Sequence, residues 1–131
     1  MTSAGATPLI AIVDDEESIR KALGRLIRSA RLDVVTYPSG DEFLEMVLER
    51  KPDCVVLDLH MPNADGFRVQ TWLAGIGVRI PVIVITGRDM PETRQLVLEN
   101  GAFAYFRKPV DGDALLEAID KALGRKSNGQ N

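Results

Sequence analysis

The chain has 131 residues, with 16 Lys and Arg against 19 Asp and Glu and a net charge of −3. That is one domain's length, and a chain of this size buries roughly two-thirds of its unfolded surface, enough for a core without staples. The acidic balance excludes non-specific nucleic-acid binding through a basic stripe, and the lone cysteine, Cys54, excludes an intramolecular disulfide framework and fits a reducing compartment.

Short β-branched runs alternate with segments of helical period, and the alternation recurs along the chain. Leu9–Val13 is a continuous apolar run, as expected of a strand buried on both faces. After Asp14-Asp15-Glu16-Glu17, residues Ile19, Leu23, Leu26, Ile27 and Ala30 recur at helical spacing. Val34–Tyr37 reads as a second strand. Ser39 and Glu42 form a capping-box signature ahead of Phe43, Leu44, Val47 and Leu48, and Pro52 is placed to stop that helix. Asp53–Leu57 is the third strand, ending at Asp58, and the stretch from His60 through Pro62 and Asp65 to Gly66 is loop chemistry. Phe67–Ile76 is expected to be helical, with Trp72, Leu73 and Ile76 turned inward. Pro81–Ile85 is the fourth strand, its proline suited to the first position. Asp89 and Glu92 repeat the capping box around Pro91, and Gly101 is placed to end that helix. Ala104–Phe106 is a short fifth strand. Asp111 can cap a last helix carrying Leu115, Leu116, Ile119 and Leu123, closed by Gly124.

This order predicts an α/β fold of (βα)5 type, a doubly wound five-stranded parallel sheet with the flavodoxin-like strand order 2-1-3-4-5. Residues 1–8 are expected to be a disordered N-terminal extension, 9–124 the domain, and 125–131 a tail or linker stub. Met1–Pro8 lacks the basic start and apolar centre of a signal peptide. The longest apolar runs fall far short of the ~18 residues of a spanning helix. The expected location is cytoplasmic, with no membrane association.

The informative feature is what stands where each apolar run stops. The first strand ends in Asp14-Asp15, the third in Asp58, the fourth in Thr86 and the fifth in Lys108. In an open parallel sheet these carboxyl ends share one edge, where ligands bind. Each residue alone has an ordinary structural role: a helix cap, a turn, a backbone partner, a solvated charge. Together they form one site with three carboxylates, a hydroxyl and an ammonium. Carboxylates so close raise one another's pKa unless neutralised. Lys108 offsets one charge, and a hard divalent cation such as Mg2+ suits the rest. An aspartate in such a setting can attack phosphorus, with the cation and the lysine clamping the transferring oxygens.

The chain resembles the receiver (CheY-like) domain of two-component response regulators from about Leu9 to Leu123. The resemblance rests on Val13-Asp14-Asp15-Glu16, Leu57-Asp58-Leu59-His60-Met61-Pro62 with Asp65-Gly66, Ile85-Thr86-Gly87, and Lys108-Pro109. It implies that Asp58 is the phosphoacceptor and Asp15 a direct Mg2+ ligand. Asp14 would act through a bound water, and the backbone carbonyl of His60 would be a further ligand. Lys108 would pair with phosphoryl oxygens, Thr86 would follow the new phosphate, and Tyr105 would be the switch aromatic, its hydroxyl starting at the surface and turning inward. The bond before Pro109 would be cis. The implied partner is a sensor histidine kinase or a phosphotransfer protein. The implied output surface is the face made by the fourth helix, fifth strand and fifth helix. Thr86–Asp111 resembles FixJ-like transcription-factor receivers best, which implies a homodimer on phosphorylation and an output domain outside this chain. A stand-alone phosphorelay or phosphate-sink protein is the alternative.

Other residues carry less. Cys54 reads as a small buried hydrophobe. His60, the lone histidine, cannot make a zinc site, and Arg88 reads as a solvated arginine that can also gate hydrolysis. A flavodoxin-like cofactor binder needs a hydroxyl- and glycine-rich loop after the first strand, where this chain has Asp-Asp-Glu-Glu. An aspartyl phosphatase needs a second carboxylate two residues after the nucleophile, and Asp58-Leu59-His60 lacks it. No Gly-x-x-x-x-Gly-Lys run occurs, which excludes a P-loop nucleotidase. A scaffold without phosphoryl chemistry is the remaining structural alternative.

Overall fold

The computed structural model describes residues 7–61 and 66–125. Each β-branched run forms a strand and each helical-period segment a helix. In chain order they are β1 (Leu9–Val13), α1 (Glu17–Ser29), β2 (Asp33–Tyr37), α2 (Gly40–Met46), β3 (Cys54–Asp58), α3 (Gly66–Gly75), β4 (Val82–Thr86), α4 (Pro91–Glu99), β5 (Ala104–Arg107) and α5 (Gly112–Ala122). The strands pair in parallel in the order β2-β1-β3-β4-β5, the doubly wound α/β arrangement expected from the alternation.

The near-continuous apolar runs are explained by two-sided burial. β3 and β4 are buried at every position, whereas the edge strands β2 and β5 each bury one residue. Successive side chains point to opposite faces. Ala11, Val13, Val55, Leu57 and Val84 therefore join Phe43, Val69 and Val97 in one core layer, under α2, α3 and α4. Ile10, Ile12, Cys54, Val56, Ile83 and Ile85 join Ile27, Leu115 and Ile119 in the other, under α1 and α5. Each fully buried Ile, Leu or Phe contributes ~1.5–3 kcal/mol of transfer free energy, so the two layers together hold the strand ends in place.

Several helix boundaries and faces differ from the expectation. Trp72 and Ile76 are exposed, because the inward stripe of α3 is Gly66, Val69, Gln70 and Leu73. Trp72 lies a helical step off that stripe, and Ile76 falls in the turn beyond the last residue. α2 ends at Met46, well before Pro52, so Leu48 sits in a turn and is exposed. Asp89 does not cap α4: Pro91 takes the first helical position, which moves the N-cap to Met90. Asp53 stands before β3 and accepts the Leu9 N–H at 2.8 Å. The Ser39 and Asp111 caps are present, accepting from the backbone N–H groups of Glu42 and Asp113. Gly101 and Gly124 follow helix ends with φ of 97° and 76°. α1 has no glycine there, and Arg31 itself adopts φ 65°. Most of the expected N-terminal extension, most of the tail, and Pro62–Asp65 lie outside the described residues.

Gly66 opens α3 against the end of β3. Its N–H donates to the Leu59 carbonyl at 2.9 Å, and an added Cβ would lie 2.8 Å from Leu59 Cα and 3.2 Å from the Asp58 carbonyl oxygen. Both neighbours are backbone and cannot swing aside. Gly66→Ala is expected to cost ~1–3 kcal/mol in urea denaturation. Gly75→Ala in the same helix meets nothing within 4 Å. It is expected to leave stability unchanged or raise it by up to ~1 kcal/mol.

Candidate functional site

The sheet register sets the site. Val13 is level with Leu57, so Asp14 and Asp58 leave adjacent strands side by side. Asp58 pairs with Ile85 and Thr86 with Arg107, which carries Thr86 and Lys108 one step further out on the same edge. Asp14, Asp15 and Asp58 each bring a carboxylate oxygen within 4.8 Å of the others. Asp14 and Asp58 are buried and Asp15 is exposed. The Lys108 N–H donates to the Thr86 carbonyl at 2.8 Å, and the Lys108–Pro109 peptide is cis. The ammonium Nζ lies 2.9 Å from Asp14 Oδ2, 3.2 Å from Glu16 Oε1 and 3.6 Å from Asp58 Oδ1. The contact with Asp14 is a close ion pair rather than an aligned hydrogen bond, so Oδ2 keeps acceptor capacity. Asp15, Glu16, Asp58 and Lys108 line a cavity of about 770 Å3 with His60, Met61, Gly87 and Arg88.

Local hydrogen bonds aim the acids. Asp14 Oδ1 accepts the Glu16 N–H at 2.9 Å, an Asx turn that also directs Glu16 toward Lys108. Arg20 Nη1 holds the Asp14 carbonyl at 2.8 Å. Asp58 Oδ1 accepts the His60 N–H at 3.4 Å. Sequence reasoning missed Glu16 as a member of the site. The signal was its place two residues after an aspartate that ends a strand.

Thr86 is fully buried at the end of β4, with both hydroxyl partners on Arg88: the N–H donates to it at 3.0 Å, and it donates to the carbonyl at 3.2 Å. Tyr105 corrects the expectation of a surface hydroxyl. The ring is buried in the layer that holds Val97, with the Arg94 guanidinium 5.3 Å above its centroid. The hydroxyl is buried without a hydrogen-bond partner among the described residues. Burial, and then the Asp89 carboxylate acting without hydrogen-bond geometry, raise its pKa, while Arg94 opposes them. His60 and Arg88 are exposed. The Cys54 thiol is buried away from this edge and pushed up to about 12, chiefly by burial, which fits a packing role.

Burial and the neighbouring Asp14 charge raise the Asp58 pKa to about 7, against the opposing pull of Lys108. Burial acts against the Lys108 ammonium, yet its pairing with Asp14, Asp58 and Glu16 outweighs that, and its pKa is raised. The donor set is hard oxygen, and one ammonium cannot balance three aspartates, so the cluster fits a divalent cation.

Linkage gives this strain a sign. The folded-state pKa of Asp58 lies above the unfolded value, so its contribution to stability is present in acid and lost as pH rises from 3.8 through about 7. The loss is at most ~4 kcal/mol, from ~1.4 kcal/mol per pKa unit. Asp58→Asn is expected to be more stable than the wild type in metal-free buffer above neutral pH, by ~1–3 kcal/mol. Urea titrations across this pH range check it; equal pH slopes for the two proteins would contradict the electrostatics.

Comparisons with known proteins agree with this geometry. The response regulator receiver domain family matches residues 10–120. Transcriptional regulatory protein TdiR of Thauera aromatica is 34% identical over 122 residues, covering 93% of this chain and 54% of that protein. Nodulation protein W of Bradyrhizobium diazoefficiens is 35% identical over 125 residues, covering 95% and 55%. The chain spans about half the length of these curated relatives. Among solved structures, FixJ-N superposes with a TM-score of 0.84 at 28% identity, covering 94% of this chain and 98% of that one. A response regulator receiver protein from Burkholderia phymatum gives 0.82 at 40% identity, covering 92% and 98%. Fold, carboxyl-edge cluster and family match together place this chain in the receiver domain family of two-component response regulators.

Proposed function

We propose that Asp58 is the phosphoacceptor of a phosphorylation-activated switch, loaded by a sensor histidine kinase or a phosphotransfer protein. The observation that carries this reading is the convergence of Asp14, Asp15 and Asp58 within 4.8 Å, with Lys108 reaching Asp14 and Asp58 across the strand ends. Asp58 Oδ1 takes the His60 and Lys108 contacts, which leaves Oδ2 to attack. In the transfer the phosphorus–nitrogen bond of a phosphohistidine breaks, its electron pair stays with the imidazole, and a phosphorus–oxygen bond forms to Asp58. Asp15, Asp14 and Asp58, with the backbone carbonyl of His60, would hold Mg2+. Bound there, Mg2+ supplies charge to offset that on the phosphoryl oxygens. Lys108 supplies the second positive charge and loses part of its pairing with Asp14 when it turns to those oxygens.

The new charge reaches the surface through β4 and β5. Thr86 holds Arg88 through its hydroxyl and Lys108 through its carbonyl. A hydroxyl recruited by the phosphoryl group must release Arg88, which loosens the turn leading to Asp89, Arg94 and Tyr105. The face formed by α4, β5 and α5 is the output surface in this reading. Leu96, Leu98 and Phe103 are exposed on or beside it, which supports its use as a contact between copies of the activated chain. DNA-binding output would belong to a part of a longer protein, as the names of several relatives suggest.

With Mg2+ and a small acyl-phosphate donor, intact mass spectrometry is expected to show one added phosphoryl group on the wild type and none on Asp58→Asn. A scaffold would show none on either. Deprotonation of Asp58 is needed for metal binding, so apparent Mg2+ affinity is expected to weaken ~10-fold from pH 8 to pH 6; a flat profile by calorimetry would contradict the assignment. Mg2+ plus beryllofluoride is expected to shift the wild type to larger size on size-exclusion chromatography, and Lys108→Ala to keep Mg2+ binding largely intact and lose that shift. An unchanged shift in the variant would remove Lys108 from the switch.

A further inference from the structure

Glu16 stands where a capping side chain belongs, yet it does not cap. It is the N-cap residue of α1, in extended conformation, and its carboxylate accepts no backbone N–H of the helix. The backbone of Glu16 is fixed on both sides. Its N–H donates to Asp14 Oδ1 at 2.9 Å, and its carbonyl accepts the Arg20 N–H at 3.0 Å. The side chain crosses instead to the residue just beyond β5, where Oε1 accepts from Lys108 Nζ at 3.2 Å. Ser, Thr, Asp and Asn hold an N-cap best, because their short side chains fold back onto the helix. The extra length of glutamate is what reaches the lysine.

An ammonium has three hydrogens to give, and Lys108 faces Asp14 at 2.9 Å, Glu16 at 3.2 Å and Asp58 at 3.6 Å. The Glu16 contact has hydrogen-bond geometry, which the Asp14 contact lacks. To meet phosphoryl oxygens on Asp58, the ammonium must turn away from Asp14 and Glu16. The two departures do not cost the same. Asp14 belongs to the carboxylates within 4.8 Å of one another that fit a divalent cation, so a bound cation offsets its charge when Lys108 leaves. Glu16 lies outside that group, and Lys108 is its side chain's partner among the described residues. Its hold on the lysine is thus the part of the resting site that a cation does not release. We propose that Glu16 is a positioning residue that parks Lys108 in the resting state and opposes the turn of the ammonium to the phosphoryl group. This rests on the reading of Asp58 as the phosphoacceptor. The Glu16 side chain is 59% exposed, so the hold is weak, about two- to fivefold in an equilibrium constant.

Two variants separate the contact from mere charge. Glu16→Gln removes the charge and keeps the shape. Glu16→Asp keeps the charge but falls one methylene short of Lys108, and aspartate at an N-cap is drawn to the helix N–H groups. Both are expected to bind beryllofluoride about two- to fivefold more tightly than the wild type at saturating Mg2+. Glu17→Gln removes a neighbouring charge that pairs with Lys21, and is expected to leave that affinity unchanged. Wild-type affinity in either Glu16 variant would overturn the proposal, and so would an equal gain in Glu17→Gln. A second measurement needs neither metal nor phosphoryl mimic. In metal-free buffer, 13C relaxation of the Lys108 ε-methylene is expected to show a more mobile ammonium end in both Glu16 variants. Unchanged mobility would overturn the proposal equally. Should the wild type itself fail to bind beryllofluoride, that failure belongs to the phosphoacceptor reading, and the relaxation measurement alone decides whether Glu16 holds Lys108.

Discussion

One ammonium group set among several carboxylates is the constraint on which this structure turns. Asp14 and Asp58 are buried side by side because β1 and β3 run parallel and end level, and Asp15 follows in the same turn. Left alone, these charges would repel and resist burial. Lys108 reaches them only because β5 runs in the same direction on the far side of β4, and its backbone is tied to Thr86. The compensation is incomplete, as the raised pKa of Asp58 records. An incompletely neutralised acidic site has affinity to spare for a cation, and then for an anion that the cation and the lysine can share.

The rest of the fold serves that placement. Two apolar layers fix the central strands from both sides, so their ends cannot drift. At the third strand, α3 begins so close to Leu59 and the Asp58 carbonyl that only glycine fits at Gly66. In contrast, the elements leading from Thr86 to Tyr105 are held by weaker contacts: an exposed turn, a cation–π contact from Arg94, and a buried Tyr105 hydroxyl without a hydrogen-bond partner among the described residues. A stiff site joined to a surface held by few contacts is the arrangement a switch requires, because a small charge change can then bias a bistable element.

Most of this was legible in the residues. Strand positions followed from the apolar runs, and the site followed from what ended them, since a parallel sheet admits one edge for all carboxyl ends. Asp14, Asp15, Asp58 and Lys108 needed no more than that. Helix faces were harder. Trp72 and Ile76 are apolar enough to suggest the core, yet α3 buries Gln70 in their place, because phase along the helix decides exposure. Pro91 overrode the capping box that Asp89 and Glu92 spell, and Arg31 took a left-handed conformation with no glycine to announce it. Tyr105 could not be placed from sequence, since its burial depends on Arg94 and Val97, brought to it by packing. Glu16 was hidden for a related reason: its role depends on the turn that Asp14 builds with its own side chain.

The central claim is that the compensated acidic edge makes Asp58, and no other carboxylate, a phosphoryl acceptor. Borohydride reduces an acyl phosphate to an alcohol and so marks the residue that carried it. The most direct measurement treats the chain with Mg2+ and an acyl-phosphate donor, traps with borohydride, and locates the product by peptide mass spectrometry. The account predicts homoserine at position 58 alone, and only when Mg2+ is present. Homoserine at position 14 or 15, or none at position 58, would contradict it.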